Sequence, residues 1–203
     1  MASGYGEQVN PFYPKLSMGL CAFNVTNNLV ISYAYNLPFN HFGGPKQLTH
    51  GWQLSGISRF ANGQPVTIYE MDDRSLLGTA YSGPLPIAID TPNYSGGAVH
   101  FNDPRTGQPY FGVSQFSLET LGQLGTARRR FFHGPGINNW DMALLKDTQL
   151  TERMTLQFRA EFYNIFNHAQ FAFVQGNFSA SNFGTATTTQ SPRIGQMSLK
   201  LLF

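Results

Sequence analysis

The chain has 203 residues, enough for one domain with a core of its own, yet charged side chains make up only 12% of it, about half the usual share for a soluble domain. Aromatic residues at 14%, 21 glycines and 12 prolines favour strands and turns over helices. A formal net charge of +2 leaves no footprint for nucleic acid, and the lone Cys21 excludes an internal disulfide framework or a cysteine-based zinc centre.

In chain order, the first periodic segment is 28–38, where Leu29, Ile31, Tyr33 and Tyr35 alternate with Val30, Ser32, Ala34 and Asn36. Segment 50–69 carries Trp52, Leu54, Gly56 and Phe60 on one parity and continues past Asn62-Gly63. Segment 138–147 sets Trp140, Met142 and Leu144 against Asn139, Asp141 and Ala143. The longest, 153–166, places Met154, Leu156, Phe158, Ala160, Phe162 and Phe166 on one parity, broken at Asn164, with Thr155, Gln157, Arg159, Glu161 and Tyr163 on the other. A helix through it would leave Arg159 and Glu161 beside Phe158 and Phe162, with no clean apolar stripe. The last, 193–203, alternates Met197, Leu199, Leu201 and Phe203 with Gln196, Ser198 and Lys200, Leu202 being the exception. These five segments are expected to be strands.

Their connections alternate between short and long. NHFGGPKQLTH and TQLTE are short, while 70–137 and 167–192 are long. Antiparallel strands would then collect the short turns at one end of the sheet and both long loops, with residues 1–27, at the other. No run of 18 apolar residues occurs, which excludes a membrane helix but not membrane strands. The start, MASGYGEQVNPFYPK, lacks the order of a secretory signal.

Long strands with one apolar and one polar face, loops sorted by end, and aromatic residues near the strand ends (Trp52, Trp140, Phe166) form the pattern of a transmembrane β-barrel. Arg159, Glu161, Asp141 and Lys200 all fall on the polar parity, as the cost of about 2–4 kcal/mol for a lipid-facing cation at mid-membrane requires. Lys146, on the apolar parity, lies at a strand end from which it can reach the headgroups.

The run RRRFFHGPGINNWDMALLKDTQLTERMTLQFRAEFYNIFNHAQF, residues 128–171, resembles the C-terminal barrel region of TonB-dependent outer-membrane receptors of the Oar-like group. The resemblance rests on Gly134-Pro135-Gly136, Asn139-Trp140-Asp141, Thr151-Glu152-Arg153 and Phe158 to His168, and extends to NNLVISYAYNLPF and GWQLSGISRFANGQPVT upstream. Asn24 and Asn27 depart from the family's Asp and His, which puts a local loop contact in doubt.

The resemblance implies an all-β fold in the bacterial outer membrane: an antiparallel transmembrane barrel segment of about five strands with two long extracellular loops. Its parts would be an extracellular loop (1–27), a strand hairpin (28–69), a long extracellular loop (70–137), a second hairpin (138–166), a further extracellular loop (167–192) and the final strand (193–203). Five strands cannot close a barrel, for which about eight is the minimum, so the segment is expected to be an incomplete piece of a barrel of about 22 strands. The implied function is the outer-membrane wall of a receptor that takes up a bulky ligand, one that this piece would not transport alone. The implied partners are outer-membrane lipid, the remainder of the barrel and its plug, the TonB complex through a missing N-terminal region, and the barrel assembly machinery through the strand ending at Phe203.

No enzyme, cofactor, metal or catalytic residue is expected, and no ligand-binding residue is assigned. His41, His50, His100, His133 and His168 never pair at ligand spacing, and no Gly-x-Ser-x-Gly elbow occurs. Arg159 and Glu161 fit mutual neutralisation better than catalysis, Gly134-Pro135-Gly136 feeds a strand and not a helix, and Arg128-Arg129-Arg130 fits a loop cluster. Three Asn-x-Ser/Thr matches, at Asn24, Asn93 and Asn177, have no meaning in a bacterial barrel. Tyr81, Tyr94, Phe101, Tyr110 and Phe111 in the long loop could stack on a flat ligand or pack the loop on itself. The alternative reading is a secreted soluble β-sandwich that binds or adheres, with the alternating strands burying a core between two sheets.

Overall fold

The computed structural model describes residues 15, 18–76 and 90–203. Its strands are β1 (Asn28–Asn36), β2 (Trp52–Ala61), β3 (Asn93–Tyr94), β4 (Phe116–Ser117), β5 (Ile137–Gln149), β6 (Thr155–Tyr163), β7 (Phe171–Val174), β8 (Ala186–Thr189) and β9 (Ile194–Leu202). Among the described residues, no helix is long and apolar enough to cross a membrane. The fold is all-β and antiparallel.

The chain divides into two compact units, one of them Asn27–Ala61, Ile137–Gln170 and Ser191–Phe203. This unit is a single antiparallel sheet in the order β1-β2-β5-β6-β9, each strand paired with the next. Its strands run 9, 10, 13, 9 and 9 residues. The sheet is open: among the described residues no strand pairs the outer edge of β1 or of β9.

Several strand ends differ from the sequence expectation, each for a local reason. The 50–69 segment stops as a strand at Ala61. There Asn62-Gly63 turns the chain, a Cβ at Gly63 would lie 2.3 Å from the Pro135 carbonyl oxygen, and Pro65 then forms only an isolated bridge to His133. The 153–166 segment ends at Tyr163, because Asn164 takes a left-handed φ of 50°. Phe166 therefore lies beyond the strand that it was expected to close. β1 ends at Asn36, two residues before Pro38, and β5 extends to Ile137–Gln149, beyond the expected 138–147. At the short-connection end, Leu37–Gly51 holds a 3-10 turn and one helical turn, Lys46–Thr49, and 150–154 joins β5 to β6.

The other unit comprises Asn62–Gly136 and Phe171–Gln190 with the described part of Met1–Thr26. The expected long loops are in fact a folded body. It holds two small two-stranded sheets, β3–β4 and β7–β8, and a core of Val66, Ile68, Phe111, Phe116, Ala127, Phe132, Val174 and Phe183. Phe111 is at its centre, fully buried, with the rings of Phe132, Phe183 and Phe116 edge-on at 5.0, 5.1 and 5.6 Å. The backbones pack closely: a Cβ at Gly125 would lie 1.7 Å from the Thr91 carbonyl oxygen, so only glycine fits there.

Because one ring anchors this core, Phe111→Ala should cost this unit about 3–5 kcal/mol. Hydrogen exchange should report lost protection at the amides of Val66 and Ile68, while those of β5 and β6 keep theirs.

Candidate functional site

The register turns five separate alternations into two continuous faces. Direct partners across the sheet include Tyr35–Leu54–Leu144–Ala160–Met197 in one row and Ala34–Ser55–Ala143–Glu161–Gln196 in the next. One face thus collects Leu29, Ile31, Leu54, Met142, Leu144, Leu156, Phe158, Phe162, Met197, Leu199 and Leu201. The other collects Arg59, Asp141, Asp147, Arg159, Glu161 and Lys200 among Ser, Gln and Asn side chains, with Val30, Ile57, Ile137, Leu145, Ile194 and Leu202 among its apolar exceptions.

Among the described residues nothing covers the outer part of the apolar face. Met197, Leu199, Leu201 and Phe203 are 71, 65, 47 and 98% exposed, and Leu29, Ile31 and Tyr35 are exposed as well. A sandwich would bury these side chains against a second sheet. So large an uncovered apolar surface calls for an apolar solvent. Two glycines on this face are filled by aromatic neighbours in direct register: Tyr33 lies over Gly56, its hydroxyl oxygen 2.6 Å from where a Cβ would be, and the Phe162 ring lies over Gly195.

The polar face neutralises itself. Arg159 Nη2 lies 2.5 Å from Glu161 Oε1, and Gln196 donates to Glu161 Oε2 from β9. Arg59 Nε donates to Asn28 Oδ1 at 3.1 Å, Gln157 Nε2 to Asp147 Oδ1 at 3.0 Å, and Gln53 Nε2 to Asn36 Oδ1 at 3.1 Å. Lys146 corrects the expectation that it reaches outward to headgroups. It is buried, its Nζ donates to the carbonyls of His50 at 2.5 Å and Asp147 at 2.9 Å, and the ammonium stands 5.7 Å from the centre of the Trp52 ring.

Aromatic side chains mark both ends. At the short-turn end Trp52 packs on Phe39, which packs on Phe42; at the opposite end Phe60, Trp140, Phe166 and His168 form a chain of ring contacts at 5.5, 5.7 and 5.8 Å. This second cluster contains the residues of the Asn139-Trp140-Asp141 and Asn164-to-His168 motifs, and polar bonds lock it. Asp141 Oδ1 accepts from Asn139 Nδ2 and from the Asn164 backbone N–H, both at 2.9 Å. The buried Asn164 amide bridges both backbone groups of His168, and Gln170 does the same for Asn138. The strands, faces and girdles are those of a transmembrane barrel wall.

The profile of the outer membrane beta barrel domain family matches residues 2–196. The chain belongs to this family. No curated protein and no solved structure matches it. As a bacterial outer-membrane barrel domain it faces lipid with its apolar side chains and water with the other parity.

Of the aromatic residues considered as a ligand platform, Phe111 is core, Tyr94 packs on Phe116 and Phe131, and Tyr110 packs on Phe101, which is half exposed. Burial raises the Tyr110 hydroxyl above the usual tyrosine range, and that hydroxyl donates to the His133 carbonyl at 3.3 Å. Tyr81 lies outside the described residues. In the arginine run, Arg128 is exposed, Arg129 is buried, and Arg130 Nε donates to the Leu20 carbonyl at 2.7 Å. The doubt over Asn24 resolves in favour of a contact, since its Oδ1 lies 2.9 Å from His133 Nε2. Among the described residues no three His, Cys, Asp or Glu side chains gather to hold a metal ion.

Sequence reasoning missed a polar cleft of about 560 Å³ at the short-turn end, where His41 and His50 face Asn36, Gln53 and Asp147. It exists because 37–51 folds back over the strand ends, which periodicity does not report.

The Asn164 turn supplies a test. Asn164→Ala should destabilise the folded barrel by about 2–4 kcal/mol through lost bonds and a strained φ, and Asn164→Gly by about 1 kcal/mol less, since glycine restores the backbone. Urea unfolding in micelles, followed by tryptophan fluorescence, reads both values.

Proposed function

We propose that this barrel wall belongs to a TonB-dependent receptor of the Oar-like group that takes up a bulky ligand across the outer membrane. The observation that carries the reading is the interlocked end of the sheet: the residues quoted for the resemblance, Asn139-Trp140-Asp141 and Asn164 to His168, are the ones that bind each other there. In this reading β9 runs from the exterior to the periplasm. The unit of Asn62–Gly136 and Phe171–Gln190 is then extracellular, and the turns at 37–51 and 150–154 are periplasmic.

The role is passive in chemistry, with no enzymatic step. The edges of β1 and β9, unpaired among the described residues, call for further strands of the same barrel, because each unsatisfied backbone group in hydrocarbon costs several kcal/mol. The polar face would line a lumen filled by a plug, TonB would engage a region N-terminal to the wall, and the alternating strand that ends at Phe203 would be read by the assembly machinery.

The full-length receptor should co-purify with the periplasmic domain of TonB and give no steady conductance in a planar bilayer. An open ohmic pore that ignores TonB would instead make the protein a porin-like channel. The lipid face has its own test. Leu199→Arg should cost about 2–4 kcal/mol, and Ser198→Arg, one residue away on the watery face, close to none. Unfolding from liposomes gives the comparison, and equal costs would contradict the assignment of faces.

A further inference from the structure

The unit outside the sheet contains a buried arrangement of charge that the barrel function does not use. Glu70 and Glu119 are 0 and 1% exposed, and neither Glu70 carboxyl oxygen meets a hydrogen-bond donor. Among the described residues the charged groups acting on Glu70 are Glu119, Asp90 and Arg74. Asp90 is satisfied: its two oxygens accept from the backbone N–H groups of Ser75 at 2.8 Å and Thr91 at 3.0 Å. Arg74 serves Glu119, with Nε 3.3 Å from Oε1 and Nη2 donating to the Glu119 carbonyl at 3.1 Å. Neither Glu70 nor Glu119 has a carboxyl oxygen that meets a hydrogen-bond donor, and of the two only Glu119 has the Arg74 guanidinium at ion-pair distance.

A fully buried carboxylate with no donor does not persist as an anion; it keeps its proton. A proton on Glu70 turns the orphan into a donor whose natural acceptor is the facing Glu119 carboxylate. The pair also lies at a junction. Glu70 N–H donates to the Asp90 carbonyl at 2.8 Å, and Gly122 N–H, in the turn after Glu119, donates to the Arg74 carbonyl at 2.7 Å. The carboxyls therefore tie the strap Glu70–Ser75 to the turn Glu119–Gly122.

We propose that Glu70 and Glu119 form a proton-operated latch: one proton held between them keeps the strap and the turn together, and its loss to solvent frees them. Burial first, then the charges of Glu119 and Asp90, push the Glu70 carboxyl up from 4.5 to about 8, against the pull of Arg74. The sign follows from proton linkage. The folded unit binds this proton more tightly than the opened one, so latch stability is full below pH 4.5, declines as pH rises through neutrality, and levels off above about 8. If the unit is extracellular, as proposed above, the latch responds to the pH outside the cell. Its operation does not depend on TonB or on transport.

Hydrogen exchange on the full chain in detergent micelles, corrected for the intrinsic pH dependence of exchange, tests the latch. Protection at the Ser75 and Gly122 amides should fall by close to tenfold per pH unit between pH 6 and pH 8, the slope of one proton. Amides of β5 should show no such slope. Glu70→Gln, which carries a permanent donor in place of the proton, should keep both amides protected and flatten the profile. A flat wild-type profile would overturn the proposal, as would a Glu70→Gln protein that retains the slope. Should that variant fail to fold, the wild-type slope decides alone. Failure of TonB binding leaves this outcome untouched, so the two readings fall separately.

Discussion

A backbone amide in hydrocarbon has no water to turn to, so it must find its partner in a neighbouring strand. That constraint accounts for the length of β1, β2, β5, β6 and β9 and for their uninterrupted pairing from one end to the other. It also accounts for where the exceptions lie. Left-handed Asn164 and Asn167, the helical turn Lys46–Thr49 and the prolines at 38 and 45 are all beyond the strand ends, where side chains or water can satisfy the groups that leave the ladder. With the ladder fixed, alternation divides side chains between two solvents. The register then decides whether each alternation lands on the same face as its neighbour's, and here it does, in every row.

The two units solve opposite problems. The sheet exposes its apolar side chains and gains stability from hydrogen bonds and cross-strand packing, including the Tyr33–Gly56 and Phe162–Gly195 pairs. The other unit has a conventional core, which it builds from phenylalanine rings spaced too irregularly to form long strands. Its glycines serve that core: at Gly125 and Gly176 one backbone passes so near another that no side chain fits between. A charge is cheap on the wet face of the sheet, where Arg159 and Glu161 are both partly exposed, and costly beneath the other unit's surface, where Glu70 must give up its ionisation.

What the sequence disclosed follows the same division. Period-two alternation is a direct imprint of a sheet between two solvents, so the five long strands and both faces could be read from residues such as Met197, Leu199 and Leu201. Their ends could not, because Gly63 and Asn164 act through contacts with distant chain: the Pro135 carbonyl in one case, Asp141 in the other. Residues 70–137 and 167–192 looked like loops since their core positions, among them Phe111, Phe132 and Phe183, follow no period. Their order comes from tertiary packing that sequence spacing does not encode. The carboxyl pair was invisible for the same reason, since Glu70 and Glu119 are remote in sequence and neither belongs to a motif.

The motifs that carried the resemblance are structural. Trp140 joins Phe60 to Phe166, Asp141 caps the Asn164 turn, and Gln170 returns to Asn138, so a run that looks like a functional signature is the fastening at one end of the wall. On the polar face of the wall Arg159 pairs with Glu161, and Arg59 is held by a hydrogen bond to the neutral Asn28 amide. The wall is thus specified by alternation along its strands and by a firm fastening at their end.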